Sequence, residues 1–259
     1  MSTGQDSRYW SIGRLSLLLG FGLLAAASTA QAGDVDDLDV FLPTTLEDAF
    51  TGKPKEGELQ AGLRFDRRRG HDDLQIFPQF QASPVDGLLL NVSVPYIVGS
   101  GDRANQGQVS AGALYNFNRE TRWLPAFAVG IDASTPLGPG DRATQLQLTG
   151  VATRTIDPAG NKRLHLNAAW ITRFAPSVQE RHNQYRVVAG YSQLLGRDTA
   201  LIVDYVRERQ EFGERDANIV EVGVRHRLSE RVTAGFGGGA GIGRDSPKYR
   251  ALFSLEVDL

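Results

Sequence analysis

Apolar and polar residues alternate with a period of two, almost without interruption, from Glu58 to the end of the chain. Tyr249, Ala251, Phe253, Leu255, Val257 and Leu259 interleave with Arg250, Leu252, Ser254, Glu256 and Asp258. Upstream, Trp123, Pro125, Phe127, Val129, Ile131 and Ala133 are set against Leu124, Ala126, Ala128, Gly130, Asp132 and Ser134. Period two places one set on each face of a strand. Strands in soluble proteins average about 5–6 residues. Tilted strands of about 9–11 residues are what a bilayer requires. The pattern predicts an all-β fold, a transmembrane antiparallel up-and-down β-barrel of about 12 strands. The runs lie near 57–66, 73–83, 87–98, 107–117, 123–135, 143–156, 163–173, 184–194, 199–209, 217–228, 231–243 and 249–259.

The connections alternate in character. Pro84-Val85-Asp86, Leu195-Gly196-Arg197-Asp198 and Ser229-Glu230 are turn-type. Gly99–Gln106, Phe174–Asn183 and Gln210–Asp216 are longer and more charged. Short periplasmic turns and longer extracellular loops are the outer-membrane pattern, and an even strand count puts both ends in the periplasm. Aromatic girdles are expected at both rims, with Phe65, Tyr96, Trp170, Tyr185, Tyr205 and Tyr249 outermost and Tyr115, Phe117 and Trp123 toward the periplasm. A soluble sandwich also alternates, but strand length, girdles and loop asymmetry favour the membrane.

Residues 1–32 read as a secretory signal peptide. Arg8 and Arg14 precede an apolar stretch, Leu15–Ala27, and Ala30-Gln31-Ala32 is a small-x-small cleavage pattern. Removing 32 of the 259 residues leaves 227. Residues 33–56 do not alternate. They carry Asp34, Asp36, Asp37, Asp39, Pro43 and Pro54, and either hang in the periplasm or enter the barrel as a small plug. The barrel itself is expected over 57–259. Zero cysteine excludes thiol catalysis, disulfides, cysteine-ligated metal sites and a lipoprotein anchor. A net charge of −2 gives no basic excess for nucleic acid.

Three segments carry a resemblance. They are Leu42-Pro43-Thr44-Thr45-Leu46-Glu47-Asp48-Ala49-Phe50-Thr51 leading into Gly57-Glu58-Leu59-Gln60, then Val92-Ser93-Val94-Pro95-Tyr96, then Leu124–Gly130 running to Thr135-Pro136-Leu137-Gly138. Together they resemble the family of outer-membrane transporters named for the meta-pathway of phenol degradation. In that family Thr-Gly usually follows Thr-Pro, where this chain has Leu137-Gly138. The resemblance implies a barrel and uptake of small, often aromatic or hydrophobic compounds. It brings no catalytic residues.

With apolar residues facing lipid, the lumen receives a polar set that includes Gln60, Gln79, Asn91, Ser93, Gln108, Ser110, Asp132, Gln145, Gln147, His165 and Asn167. Folding neighbouring strands together brings Arg186 near Glu208, and Asp204 near Glu221. Facing carboxylates call for a cation or a counter-charge, and Arg225 or Arg186 is expected to complete a wall network. No serine stands beside His165 in a recognisable motif, so a lumenal histidine is expected rather than a barrel hydrolase. In the run 231–243, Gly235, Gly237, Gly239, Gly241 and Gly243 share the inward face, with Arg250 expected beside Gly241 and Glu256 beside Gly235. The stripe suits wall curvature, a track for solute, or room for the N-terminal segment.

The expected function is a passive outer-membrane channel for small solutes. A non-conducting structural barrel is the second reading and a lipid-modifying enzyme the third. Neither catalytic residues nor a cofactor are expected. Expected partners are outer-membrane lipids, lipopolysaccharide facing Arg67-Arg68-Arg69, the barrel-assembly machinery and a small hydrophobic or aromatic solute.

Overall fold

A computed structural model describes Val35, Leu38 and residues 43–100, 106–137, 143–178 and 180–259. Residues 1–32, expected to be a signal peptide, and the acidic group Asp34, Asp36, Asp37 and Asp39 lie outside the described residues.

Thirteen strand segments follow in chain order: β1 (Glu56–Arg67), β2 (Asp72–Val85), β3 (Leu88–Ser93), β4 (Tyr96–Gly99), β5 (Gln106–Asn118), β6 (Ala126–Leu137), β7 (Thr144–Thr155), β8 (Lys162–Phe174), β9 (Asn183–Leu194), β10 (Thr199–Glu208), β11 (Ala217–Ser229), β12 (Val232–Ile242) and β13 (Tyr249–Asp258). β3 and β4 are two halves of one wall strand, because both pair with β2 on one side and β5 on the other. Pro95 explains the break, since it has no N–H to give the ladder. The ladder resumes around it through Val94 N to Pro78 O at 3.0 Å and Gln108 N to Pro95 O at 3.0 Å. Every wall strand pairs antiparallel with the next, and β13 pairs with β1 from Glu58↔Asp258 to Arg67↔Tyr249. The wall is a closed, 12-strand, antiparallel β-barrel.

Its faces are inverted relative to a soluble protein. Val129, Ile131, Leu166, Val222 and Phe253 are exposed, whereas Gln60, Gln81, Thr149, Asn167, Arg225 and Glu256 are buried. An apolar band wrapped round a polar interior is what a lipid-facing barrel needs. Phe65 and Tyr249 meet at one rim with ring centroids 6.1 Å apart, and Phe117 and Phe127 stack at the other.

Two sequence expectations are corrected here. Trp123 does not open a strand. The Thr121 hydroxyl accepts the N–H groups of Trp123 and Leu124, Thr121 N donates to Leu124 O, and the turn leaves Trp123 exposed at the rim. The β12–β13 register is shifted by two residues from the expected one. Arg250 lies opposite Gly239 and Glu256 opposite Thr233, while Gly235 faces Ser254. The chain at Ser246-Pro247 folds over Gly241, and Lys248 N donates to Arg67 O at 2.7 Å. This lengthens the loop at the expense of the ladder. Gly243 falls in that loop with φ of 100°.

Candidate functional site

The described part of the N-terminal segment runs inside the barrel. Every second backbone N–H from Thr45 to Ala49 is taken by a side chain on the inner wall, and those between are bonded within the segment. Thr45 N donates to Glu221 Oε2 at 2.7 Å, Glu47 N to Asn167 Oδ1 at 2.9 Å and Ala49 N to Thr153 Oγ1 at 2.9 Å. Its carbonyls are met in the same way. Asn167 Nδ2 donates to Glu47 O at 2.7 Å, Asn116 Nδ2 to Ala49 O at 2.5 Å and Ser83 Oγ to Thr51 O at 2.6 Å. A segment without strand partners thus has its buried backbone groups satisfied by the wall.

Two apolar clusters fix it laterally. Leu38 and Leu46 pack with Val188, Ile202, Val206 and Ile219. Ala49 and Phe50 pack with Leu89, Leu114, Ala126, Ala128 and Val151. Sequence reasoning missed these inward apolar positions. The signal was present in Ala200–Val206, where both faces of β10 are largely apolar, so the lumenal face there needs a cover. Ala128 points inward and is 2% exposed in the cluster with Ala49, so a charged side chain there would be costly.

The glycine stripe receives Pro43. A Cβ on Gly237 would lie 2.1 Å from the Pro43 carbonyl oxygen, on Gly223 2.7 Å from Pro43 Cγ, and on Gly235 3.1 Å from Pro43 Cβ. Gly239 packs on Glu221 and Ile219, and Gly241 lies under Ser246-Pro247. A smooth solute track is therefore not what the stripe forms, because its space is filled from within the chain. Gly237→Val should still close the barrel but displace Pro43, which limited proteolysis near residues 43–53 would register. Unchanged protection would contradict this seating.

Several charged residues are buried in ion-paired groups on the inner wall. Arg250 Nε lies 2.6 Å from Asp66 Oδ1, and Arg250 NH1 lies 2.6 Å from Glu221 Oε1. Since Glu221 also holds Thr45 N, a single chain of contacts links β1, β13, β11 and the segment. Asp204 lies opposite Glu221 in register, as strand folding requires. The counter-charge on Glu221 is Arg250, not Arg225 or Arg186; the two-residue shift in register brings it there. Arg225 NH2 instead donates to Glu256 Oε2 across β11 and β13. Arg186 stands opposite Glu208. His165 is 4% exposed, with Nδ1 3.2 Å from Thr153 Oγ1 and Nε2 2.9 Å from Ser192 Oγ. Ser192 lies on the adjacent strand, a diagonal neighbour that sequence spacing does not show. Thr153 Oγ1 accepts Ala49 N–H and is also hydrogen-bonded to His165 Nδ1, while His165 Nε2 is hydrogen-bonded to Ser192 Oγ. The pair thereby supports the segment. No group of three or more metal-binding side chains occurs among the described residues.

Among the described residues the lumen holds these two cavities. One of about 630 Å³ lies at the short-turn end, bordered by Phe50, Thr51, Ser83, Asn116 and Leu259. The other, of about 370 Å³, lies toward the long loops, bordered by Gln79, Asp132, Gln145, Arg186 and Phe212. Both touch Gln81 and Leu89, where Ala49 and Phe50 pack alongside.

A closed, inside-out barrel with a polar, partly filled lumen has the fold seen in outer-membrane barrels. The crystal structure of the COG4313 outer membrane channel from Pseudomonas putida F1 matches with a TM-score of 0.63 at 11% identity, covering 82% of this chain and 98% of that one. The NanC porin matches with a TM-score of 0.54 at 8% identity, covering 78% and 98%. The KdgM porin, solved in complex with disordered oligogalacturonate, matches with 0.54 at 7% identity, covering 77% and 97%. These likenesses are of fold. No family model and no curated protein matches the sequence.

Proposed function

We propose that this protein is a channel of the bacterial outer membrane for small solutes, and that residues 43–53 act as its internal stopper. The observation that carries the reading is the pair of lumenal cavities that meet at Gln81 and Leu89, with Ala49 and Phe50 of the segment at the junction. The exposed apolar band, the girdles and the fold shared with solved channels and porins support the location. In this reading residues 1–32 are a signal peptide cleaved after Ala32. Lipids, lipopolysaccharide and the barrel-assembly machinery are the partners, and no catalytic role is assigned. The motif resemblance adds small aromatic compounds to the candidate solutes. The two apolar clusters favour a second reading, a filled barrel that conducts nothing.

Liposome swelling separates the two. Vesicles carrying the chain without Gly33–Lys53 should swell in a small neutral solute much faster than vesicles carrying the full chain. Background swelling from both, with both barrels shown closed by faster gel migration when unheated, would leave the filled barrel standing.

A further inference from the structure

We propose that the lumenal cavity beneath the long loops is a binding site for a small uncharged polyhydroxylated solute, of the chemistry of a hexose or hexitol. The inference rests on the channel reading and gives that channel a solute class.

The strand registers place hydrogen-bonding side chains in two level rows. Gln60, Gln79, Ser93, Ser110, Ser134 and Gln145 are successive cross-strand partners from β1 to β7. One step toward the short turns, Gln81, Asn91, Asp132 and Gln147 form the second row. Gly112 stands between Asn91 and Asp132, and a Cβ there would fall 1.9 Å from Asp132 Oδ1. The missing side chain lets the carboxylate lean toward Asn91 Nδ2 at 3.4 Å. Gln60 Oε1 accepts from Gln79 Nε2 and from Gln81 Nε2, each at 3.2 Å, which holds both side chains in place. All of these residues except Gln60 and Gly112 border the cavity of about 370 Å³.

Amide and hydroxyl groups each offer both donors and acceptors. A polyol presents the same two functions at every carbon, so it can hydrogen-bond both rows. An aromatic hydrocarbon would cover these groups and return no hydrogen bond. An anion would meet Asp132 and a border on which eight carboxylates outnumber five arginines, two of which, Arg173 and Arg186, already stand beside Glu211 and Glu208. A second observation points to a ligand. Ser134 is 7% exposed and borders the cavity, yet its hydroxyl has no hydrogen-bond partner among the described residues. A buried hydroxyl left unmatched is costly, and a solute hydroxyl would match it.

Saturation-transfer NMR on the full chain in detergent micelles tests this, with glucose as the probe and glucuronate and toluene at equal concentration as comparators. Transfer to the glucose ring protons is expected, with weaker transfer to glucuronate. Ser134→Val should weaken glucose binding about fivefold, the loss expected for one neutral hydrogen bond. Gln145→Leu serves as the second variant if the first does not fold, folding being read from gel mobility without heating. Absence of glucose transfer, tighter binding of toluene or glucuronate, or wild-type affinity in a folded variant would overturn the assignment. Because binding is read at equilibrium, it is separable from conduction. Conduction without glucose binding overturns the site alone, and glucose binding without conduction supports the site while removing the channel.

Discussion

Replacing Arg250 with methionine should destabilise the barrel by about 3–5 kcal/mol, because Asp66 and Glu221 lose the guanidinium between them and stay buried as charges. Both side chains of the Arg250–Glu221 pair are shielded from solvent, at 1% and 0% exposure, so water cannot take over the role. The same change frees Glu221 from the contact that orients it toward Thr45 N, so the segment should loosen as well. Neutralising the partners at the same time, with Asp66→Asn and Glu221→Gln, should recover most of the loss, since the charges that need compensation are gone. Denaturant titration of the refolded barrel in lipid measures both. A loss within about 0.5 kcal/mol for the single variant, the range of an ordinary surface substitution, would mean that the network is not holding the wall.

Val129→Arg should cost about 1–3 kcal/mol, because Val129 lies on the outward face within the apolar band, between the middle of β6 and its short-turn end, and an arginine there meets hydrocarbon. At 52% exposure, Val129 has room for the side chain, so the penalty is one of solvent and not of packing. Gln147→Arg, inward on the next strand and bordering a cavity, should cost much less. The comparison is made at Gln147 and not at Ala128, where any large side chain would collide with the Ala49 cluster. Equal losses at Val129 and Gln147 would show that the outer face does not meet lipid.

The wall was legible in the sequence because a strand's side-chain period is fixed by its backbone. Strand positions were found to within a few residues, and the inward and outward sets of β12 and β13 came out as alternation assigns them. Pairings followed too, across a tight turn for Arg186 opposite Glu208 and across the longer connection 209–216 for Asp204 opposite Glu221. The larger failure in the wall depended on one loop. The stretch 243–248 turns back over Gly241, and no pattern in the strands themselves reports where such a loop ends. That two-residue difference moved Arg250 to Gly239 and so within reach of Glu221. The lumenal arrangement was less legible, because residues 43–53 dock through backbone N–H and C=O groups. Those groups are the same in every residue, so the partners Glu221, Asn167 and Thr153 could not be told from other inward polar side chains. The glycine stripe was visible as missing side chains; its occupant, Pro43, was not.

The central claim, that the segment closes a channel, is tested most directly by single-channel recording in planar bilayers, comparing the full chain with the chain lacking Gly33–Lys53. The account predicts brief or absent openings for the full chain and steady ohmic conductance for the deleted one, with both shown to be closed barrels by gel mobility without heating. Equal conductance in the two, or a deleted chain that folds to a closed barrel and passes no current, would contradict it.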